Sequence, residues 1–220
     1  MISKQSKTAR ASDKDAGSTT VQLRERRGPD PETWARIRSQ LADRAEAQGL
    51  IDVAIELHDS PLGRIVLGAT AQGLVRVGLP SENEDAVLEE LAKRVSLRVM
   101  RSPRGILTAA RSQLELYFTG NLRGAFDLPL DWQLTHGFRR EVLHATARIP
   151  YGETSSYRQV AADAGRPAAV RAAGTALAQN PLPIVVPCHR VLRSDGKLGG
   201  YGGGLAAKVQ LLELEQTKAP

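Results

Sequence analysis

Hydrophobic and polar positions change their spacing several times along this chain, and each change marks an element. After Asp30-Pro31, the apolar residues Trp34, Ile37, Leu41 and Ala45 recur at three- and four-residue steps, the period of one helix face. Asp30 reads as an N-cap and Pro31 suits the first helical position. Gly49 can close the helix. Its apolar stripe needs something to pack on. From Ile51 the period shortens. Residues 52–57, 64–69 and 73–79 alternate imperfectly and read as three strands, with Ser60-Pro61-Leu62-Gly63 as a turn. They form a small antiparallel sheet. Helical spacing returns at 85–94, with Val87, Leu88, Leu91 and Val95 on one face. It returns again from about 104 to 118, with Leu107, Ala110, Leu114 and Tyr117 or Phe118 inward.

Residues 121–135 contain Gly124, Pro129 and mixed polarity, and read as a linker. Beyond them Phe138, Val142, Ala145 and Ile149 mark a helix that stops before Pro150. Ser155 or Ser156 can cap a helix over 157–164. Gly165-Arg166-Pro167 breaks it, and a second helix runs over 168–179. Two short helices around a glycine-containing turn are a helix-turn-helix signature, although many helical hairpins bind nothing. The second helix is small-sided, and Arg171 is its one large charged group. Residues 1–28 are rich in Ser, Thr, Lys, Arg and Asp without periodicity, and read as disordered. The expected organisation is an extension over 1–50, an α/β domain over 51–120, the linker over 121–135, and a mostly helical domain over 136–217.

A chain of 220 residues makes one large domain or two small ones. The net charge of +6 and pI of about 9.8 favour nucleic acid or an anionic surface as partner. Aromatics make up 4%, too few for gripping single strands on stacked platforms. No apolar run is long enough to span a membrane, and the N-terminus lacks the apolar core of a signal peptide. A single cysteine allows no disulfide framework and suits a reducing cytosol.

That cysteine, Cys188, lies in Pro187-Cys188-His189-Arg190-Val191, after the apolar run Ile184-Val185-Val186. Asn180-Pro181-Leu182-Pro183 leads in, and a glycine-rich stretch around Tyr201, residues 199–204, follows. A thiol in such a setting can become a thiolate nucleophile. Other readings compete. A lone cysteine beside apolar residues is usually a small buried hydrophobe. Structural zinc wants about four ligands, against one Cys and four His here. A Cys–His hydrolase usually takes its base from a remote position, whereas His189 is the immediate neighbour.

This ensemble resembles the active-site region of the O6-alkylguanine-DNA alkyltransferases, the methylated-DNA–protein-cysteine methyltransferase family. The resemblance is strong over residues 138–216 and weaker back to about 52. It implies an α/β (α+β) chain: a ribonuclease H-like sheet-and-helix domain followed by a helical domain with a winged helix-turn-helix. The implied activity is DNA repair by transfer of the alkyl group from O6-alkylguanine in duplex DNA to Cys188, with O4-methylthymine as a second candidate. Each molecule acts once, because a thioether is not cleaved again, and no cofactor is needed. The small-sided helix enters the minor groove, Arg171 fills the place of the flipped nucleotide, and Tyr157 presses the neighbouring phosphate. Asn180 is the hinge that links recognition helix to active-site strand. His189 and Glu215 relay the thiol proton through a water, Glu215 sitting on a helix over 205–216. Such a relay implies a thiol pKa below the ordinary value of roughly 8.5. Tyr201 assists the guanine leaving group. The carbonyls of Cys188 and Val191 read the exocyclic amine, and Lys208 and the backbone N–H of Gly202 complete the substrate contacts. The protein is expected to act as a monomer, in the cytoplasm or on a bacterial nucleoid, away from membranes.

The sequence also departs from the family. Gly202 stands where some relatives have a serine that bonds the lesion oxygen. No N-terminal cysteine is present for the zinc that some relatives bind, so no metal is expected. Leu143 replaces a frequent aromatic. The rivals are a lesion-binding protein without transfer activity, which would lack the reactive cysteine, and a helix-turn-helix transcription factor. The latter needs base-reading side chains that the alanine-rich helix does not offer.

Overall fold

A computed structural model describes residues 28, 30–103 and 105–216. The expectation for residues 1–28 therefore lies outside the described residues, apart from Gly28. Helix α1 (Pro31–Ala47) starts where Asp30 accepts from the Thr33 amide at 2.8 Å. Gly49, at φ +65°, follows its end. Its seating corrects the expectation. Ala42 is buried, whereas Trp34, Ile37 and Leu41 are 46, 40 and 56% exposed. The helix rests on the side of its small residues, because an alanine lets the backbone come close.

Strand β1 (Val53–Ser60) turns through Pro61-Leu62 into β2 (Gly63–Ala69), and β3 (Leu74–Gly78) follows antiparallel. Helix α2 (Glu84–Arg94), capped by Asn83, crosses to β4 (Val99–Arg101). That three-residue strand pairs parallel with β1, so the order is β3-β2-β1-β4. The sheet is thus mixed where the spacing predicts a purely antiparallel one. Its imperfect alternation has a cause, because both faces are covered. Val53, Ile55, Val66, Val75, Val87 and Leu91 form one cluster. Ala54, Ile65, Leu67, Leu74 and Val77 join Leu107, Ala110, Leu114 and Tyr117 of helix α3 (Gly105–Phe118) in another. Residues 129–131 run along β3, with Leu74 N–H donating to Pro129 O at 2.8 Å and Asp131 N–H to Leu74 O at 2.9 Å.

Helix α4 (Gly137–Ala147) leads to β5 (Ser155–Ser156), whose Ser156 caps α5 (Tyr157–Asp163). After the turn at Gly165 comes α6 (Val170–Ala178), later than the spacing suggests because Ala169 N–H closes a turn onto Arg166 O. Cys188–Arg190 forms one 3-10 turn, and β6 (Val191–Leu192) pairs parallel with β5. Helix α7 (Gly204–Leu214) ends the described chain, with Glu215 at its C-cap. One core joins the two halves, since Leu79 and Tyr117 share a cluster with Leu177, Ile184, Cys188 and Leu211. Val77 N–H also donates to Pro181 O at 2.8 Å.

Candidate active site

The approach to Cys188 is a folded loop with little freedom. Ile184 is fully buried at φ +74°, a region β-branched residues avoid because Cβ meets the carbonyl. Such strain costs about 1–3 kcal/mol and persists only where neighbours enforce it. The Asn180 amide is one enforcer. Its Oδ1 accepts from Leu182 N–H at 3.0 Å, and its Nδ2 donates to Val186 O at 2.8 Å and lies 3.1 Å from Cys188 Sγ.

Cys188 is 6% exposed. Burial pushes its thiol up to about 11, against the opposing pull of the Asn180 hydrogen bond and the Lys208 charge. This corrects the expectation of a depressed pKa: the resting group is a thiol. Burial outweighs the two favourable partners because a thiolate loses its hydration there.

His189 and Glu215 are both buried, with Nε2 and Oε1 2.9 Å apart. Burial depresses the imidazole pKa in spite of the carboxylate, so the ring is neutral. Burial pushes the Glu215 carboxyl up. Hydrogen bonds from His189, Arg190 and the Tyr117 hydroxyl outweigh it and hold the carboxyl at about 2. An ionised carboxylate only accepts, so Nε2 carries the imidazole proton and Nδ1 is left as a lone-pair acceptor. Nδ1 is buried without a partner among the described residues. The arrangement can take a proton at Nδ1 and stabilise the resulting imidazolium from the other side.

Arg190 forks onto the same carboxylate, Nε to Oε2 at 2.8 Å and Nη2 to Oε1 at 2.9 Å, and donates to Ile149 O at 2.6 Å. Tyr117 Oη donates to Oε1 at 2.7 Å. Sequence reasoning missed both. Arg190 was flagged only by standing beside His189, and Tyr117 carried no signal beyond its place on an apolar face. Lys208, fully buried, donates to Val191 O at 2.6 Å. That carbonyl keeps a second lone pair for another donor.

Tyr201 closes the other side. Its hydroxyl is buried without a partner among the described residues, and its ring lies edge-on to His189 at 6.3 Å. Burial raises its pKa well above the phenol value, so it stays a neutral donor. Gly203 is needed here, because a Cβ would lie 2.8 Å from both Tyr201 Cε1 and Leu79 Cδ1. Tyr157, Gly174, Tyr201 and Gly202 line a cleft of about 490 Å³. Gly199 lets Tyr157 into it, since a Cβ there would meet the phenol oxygen at 2.2 Å. Gly202 O accepts from Ser81 Oγ at 3.1 Å.

The fold thus gathers Cys188, Asn180, His189, Glu215, Tyr201, Val191 and Lys208 into one buried cluster, with Tyr157 and Gly202 at the cleft. Arg171 stands apart. It is exposed on α6 and borders a surface hollow of about 410 Å³ with Tyr157 and Arg193.

Two family models match this chain: the ribonuclease-like domain of 6-O-methylguanine DNA methyltransferase over residues 53–132, and its DNA binding domain over residues 137–217. The methylated-DNA–protein-cysteine methyltransferase of Mycobacterium tuberculosis is 41% identical over 162 residues, covering 74% of this chain and 92% of that protein. The same-named protein of Methanosarcina barkeri is 39% identical over 164 residues, covering 74% and 96%. The crystal structure of Mycobacterium tuberculosis O6-methylguanine methyltransferase superposes with a TM-score of 0.62 at 38% identity, covering 76% of this chain and 95% of that one. A structure of the mycobacterial protein in complex with DNA matches equally, at a TM-score of 0.62. This chain therefore belongs to the O6-methylguanine DNA methyltransferase family, the methylated-DNA–protein-cysteine methyltransferases.

Proposed function

We propose that this protein repairs O6-alkylguanine in duplex DNA by moving the alkyl group, once per molecule, onto Cys188. The observation that carries the reading is a buried neutral imidazole immediately following the chain's one thiol in sequence, with its Nδ1 without a partner among the described residues and its Nε2 held by Glu215. His189 Nδ1 takes the thiol proton through one water. The sulfur attacks the alkyl carbon in line, an S–C bond forms, and the C–O6 bond breaks with its electron pair leaving on guanine. Tyr201 donates a hydrogen bond to that oxygen as charge develops. The proton held by His189 returns through solvent to the guanine, so the products are guanine and S-alkyl-Cys188. The carbonyls of Cys188 and Val191 suit the exocyclic amine, Lys208 braces the second, and Gly202, on the cleft lining, supplies its backbone N–H on this reading.

A buried thiol cannot reach a base inside the stack, so the target nucleotide must flip. Helix α6 turns Ala173 and Ala176 into the core and leaves the small residues Ala172 and Gly174 on its outer side for close approach in the minor groove, with Arg171 to fill the vacated stack and Tyr157 against the phosphate. O4-methylthymine offers the same alkyl–oxygen bond and is a second substrate on this reading. The division into 51–120, 121–135 and 136–217 is kept as the domain assignment. A nucleophilic thiol must stay reduced, so the protein works in a reducing, DNA-containing compartment, the cytoplasm; the monomer is kept as its working state. Incubation with excess methylated duplex tests the stoichiometry. Repair should stop at one guanine per protein molecule, and continued turnover would contradict the reading.

A further inference from the structure

Glu215 collects five donor contacts from four residues. Oε1 accepts from Tyr117 Oη, His189 Nε2 and Arg190 Nη2, while Oε2 takes Arg190 Nε and lies 3.4 Å from Gly152 N. Three of those residues are local to the site. Tyr117 is not. It comes from α3, 98 residues away in sequence, out of the half of the chain that supplies neither nucleophile nor base.

Its ring is fully accounted for by packing. Tyr117 is 0% exposed and meets Phe118, Phe126 and Tyr151 at centroid distances of 5.4, 5.5 and 6.2 Å. A phenylalanine would serve that packing as well. The hydroxyl is different, because burying it is unfavourable unless it is bonded, and the bond it makes is to Glu215.

The carboxylate has two competing partners. The Arg190 guanidinium is a charged fork and the stronger attraction; the neutral His189 imidazole is the weaker. Left to Arg190 alone, the carboxylate is free to roll onto the fork and away from Nε2. His189 would then lose the acceptor that fixes its tautomer, and Nδ1 would no longer be held as the base. The Tyr117 hydroxyl pins Oε1 from a third direction.

We propose that Tyr117 is a positioning residue for alkyl transfer, acting through Glu215 to hold Oε1 against His189 Nε2. The proposal rests on Cys188 being the alkyl acceptor. The catalytic cluster is therefore completed by the N-terminal half of the chain, and the helix-turn-helix half alone carries an unpinned relay.

The test is Tyr117→Phe, alone and combined with Glu215→Gln, in the full chain. Methyl transfer to Cys188 in the unsubstituted protein is measured first, and its absence would sink the parent reading before any variant is made. Tyr117→Phe should slow transfer on the order of tenfold, and should cost nothing further in the Glu215→Gln background. The nitrogen chemical shifts of His189 should show one Nε2-protonated tautomer in the parent and a mixture in Tyr117→Phe. An equal loss in both backgrounds, or an unchanged rate and tautomer, overturns the proposal. If the phenylalanine variant does not fold, fluorotyrosine at position 117 keeps the hydroxyl and strengthens it as a donor. The His189 Nε2 resonance must then shift, and a resonance that stays put overturns the proposal equally.

Discussion

Asn180 divides its side-chain amide between the active-site loop and the sulfur, with Nδ2 2.8 Å from Val186 O and 3.1 Å from Cys188 Sγ. That donor favours the thiolate, yet burial prevails and leaves the thiol at about 11. Transfer at neutral pH then depends on deprotonation at the moment of attack, with no standing population of thiolate. Inactivation by iodoacetamide should accordingly be slow near pH 8 and climb steadily toward pH 11, in a pH-jump assay on the folded protein. A plateau reached below pH 8 would mean that the thiol is ionised at rest.

Tyr201 carries a buried hydroxyl with no partner among the described residues. Leaving such a group unsatisfied costs about 1–3 kcal/mol, so Tyr201→Phe should be at least as stable as the parent in denaturant unfolding. Transfer should nevertheless fall by about a hundredfold, the scale of a lost general-acid contact. A stable variant with undiminished rate would remove Tyr201 from the chemistry.

Glu215 is buried and Glu213 is exposed, which makes the two a matched pair of substitutions. The folded Glu215 carboxyl is held at about 2, below its ordinary 4.5. A depressed folded pKa contributes stability that is complete above the unfolded value and lost as pH falls through the folded one. The loss therefore runs from about pH 4.5 down to about pH 2 and amounts to something on the order of 3 kcal/mol. Glu215→Gln should flatten that part of the stability–pH curve and slow transfer, with DNA affinity nearly unchanged. Glu213→Gln should do neither. Unfolding free energies at several pH values decide this, and a curve unaltered by Glu215→Gln would show that the carboxylate is not held by its neighbours.

Much of this architecture is legible along the chain because it is set by neighbours in sequence. The Asp30 cap, the inward residues Leu107, Ala110, Leu114 and Tyr117, and the turn at Gly165 all follow from local spacing. β4 does not, since two half-buried residues and an exposed arginine give no period and owe their conformation to pairing with β1. Leu41 illustrates the opposite error: a helical stripe shows which residues share a face, and a tertiary contact decides which face is covered. At the site, the resemblance picked Glu215 over Glu213, which the spacing alone leaves open. The raised thiol pKa and the Tyr117 contact arise from burial and from a contact 98 residues long, and no local pattern encodes either.

The central claim is that Cys188 itself becomes the alkyl carrier. Its most direct measurement is the intact mass of the protein after incubation with duplex DNA containing O6-methylguanine, followed by peptide mapping. The parent should gain the mass of one CH₂ group, located on the peptide containing Cys188, while Cys188→Ser binds the same duplex and gains nothing. A parent protein of unchanged mass, or a methyl group mapped to any other residue, would contradict the account.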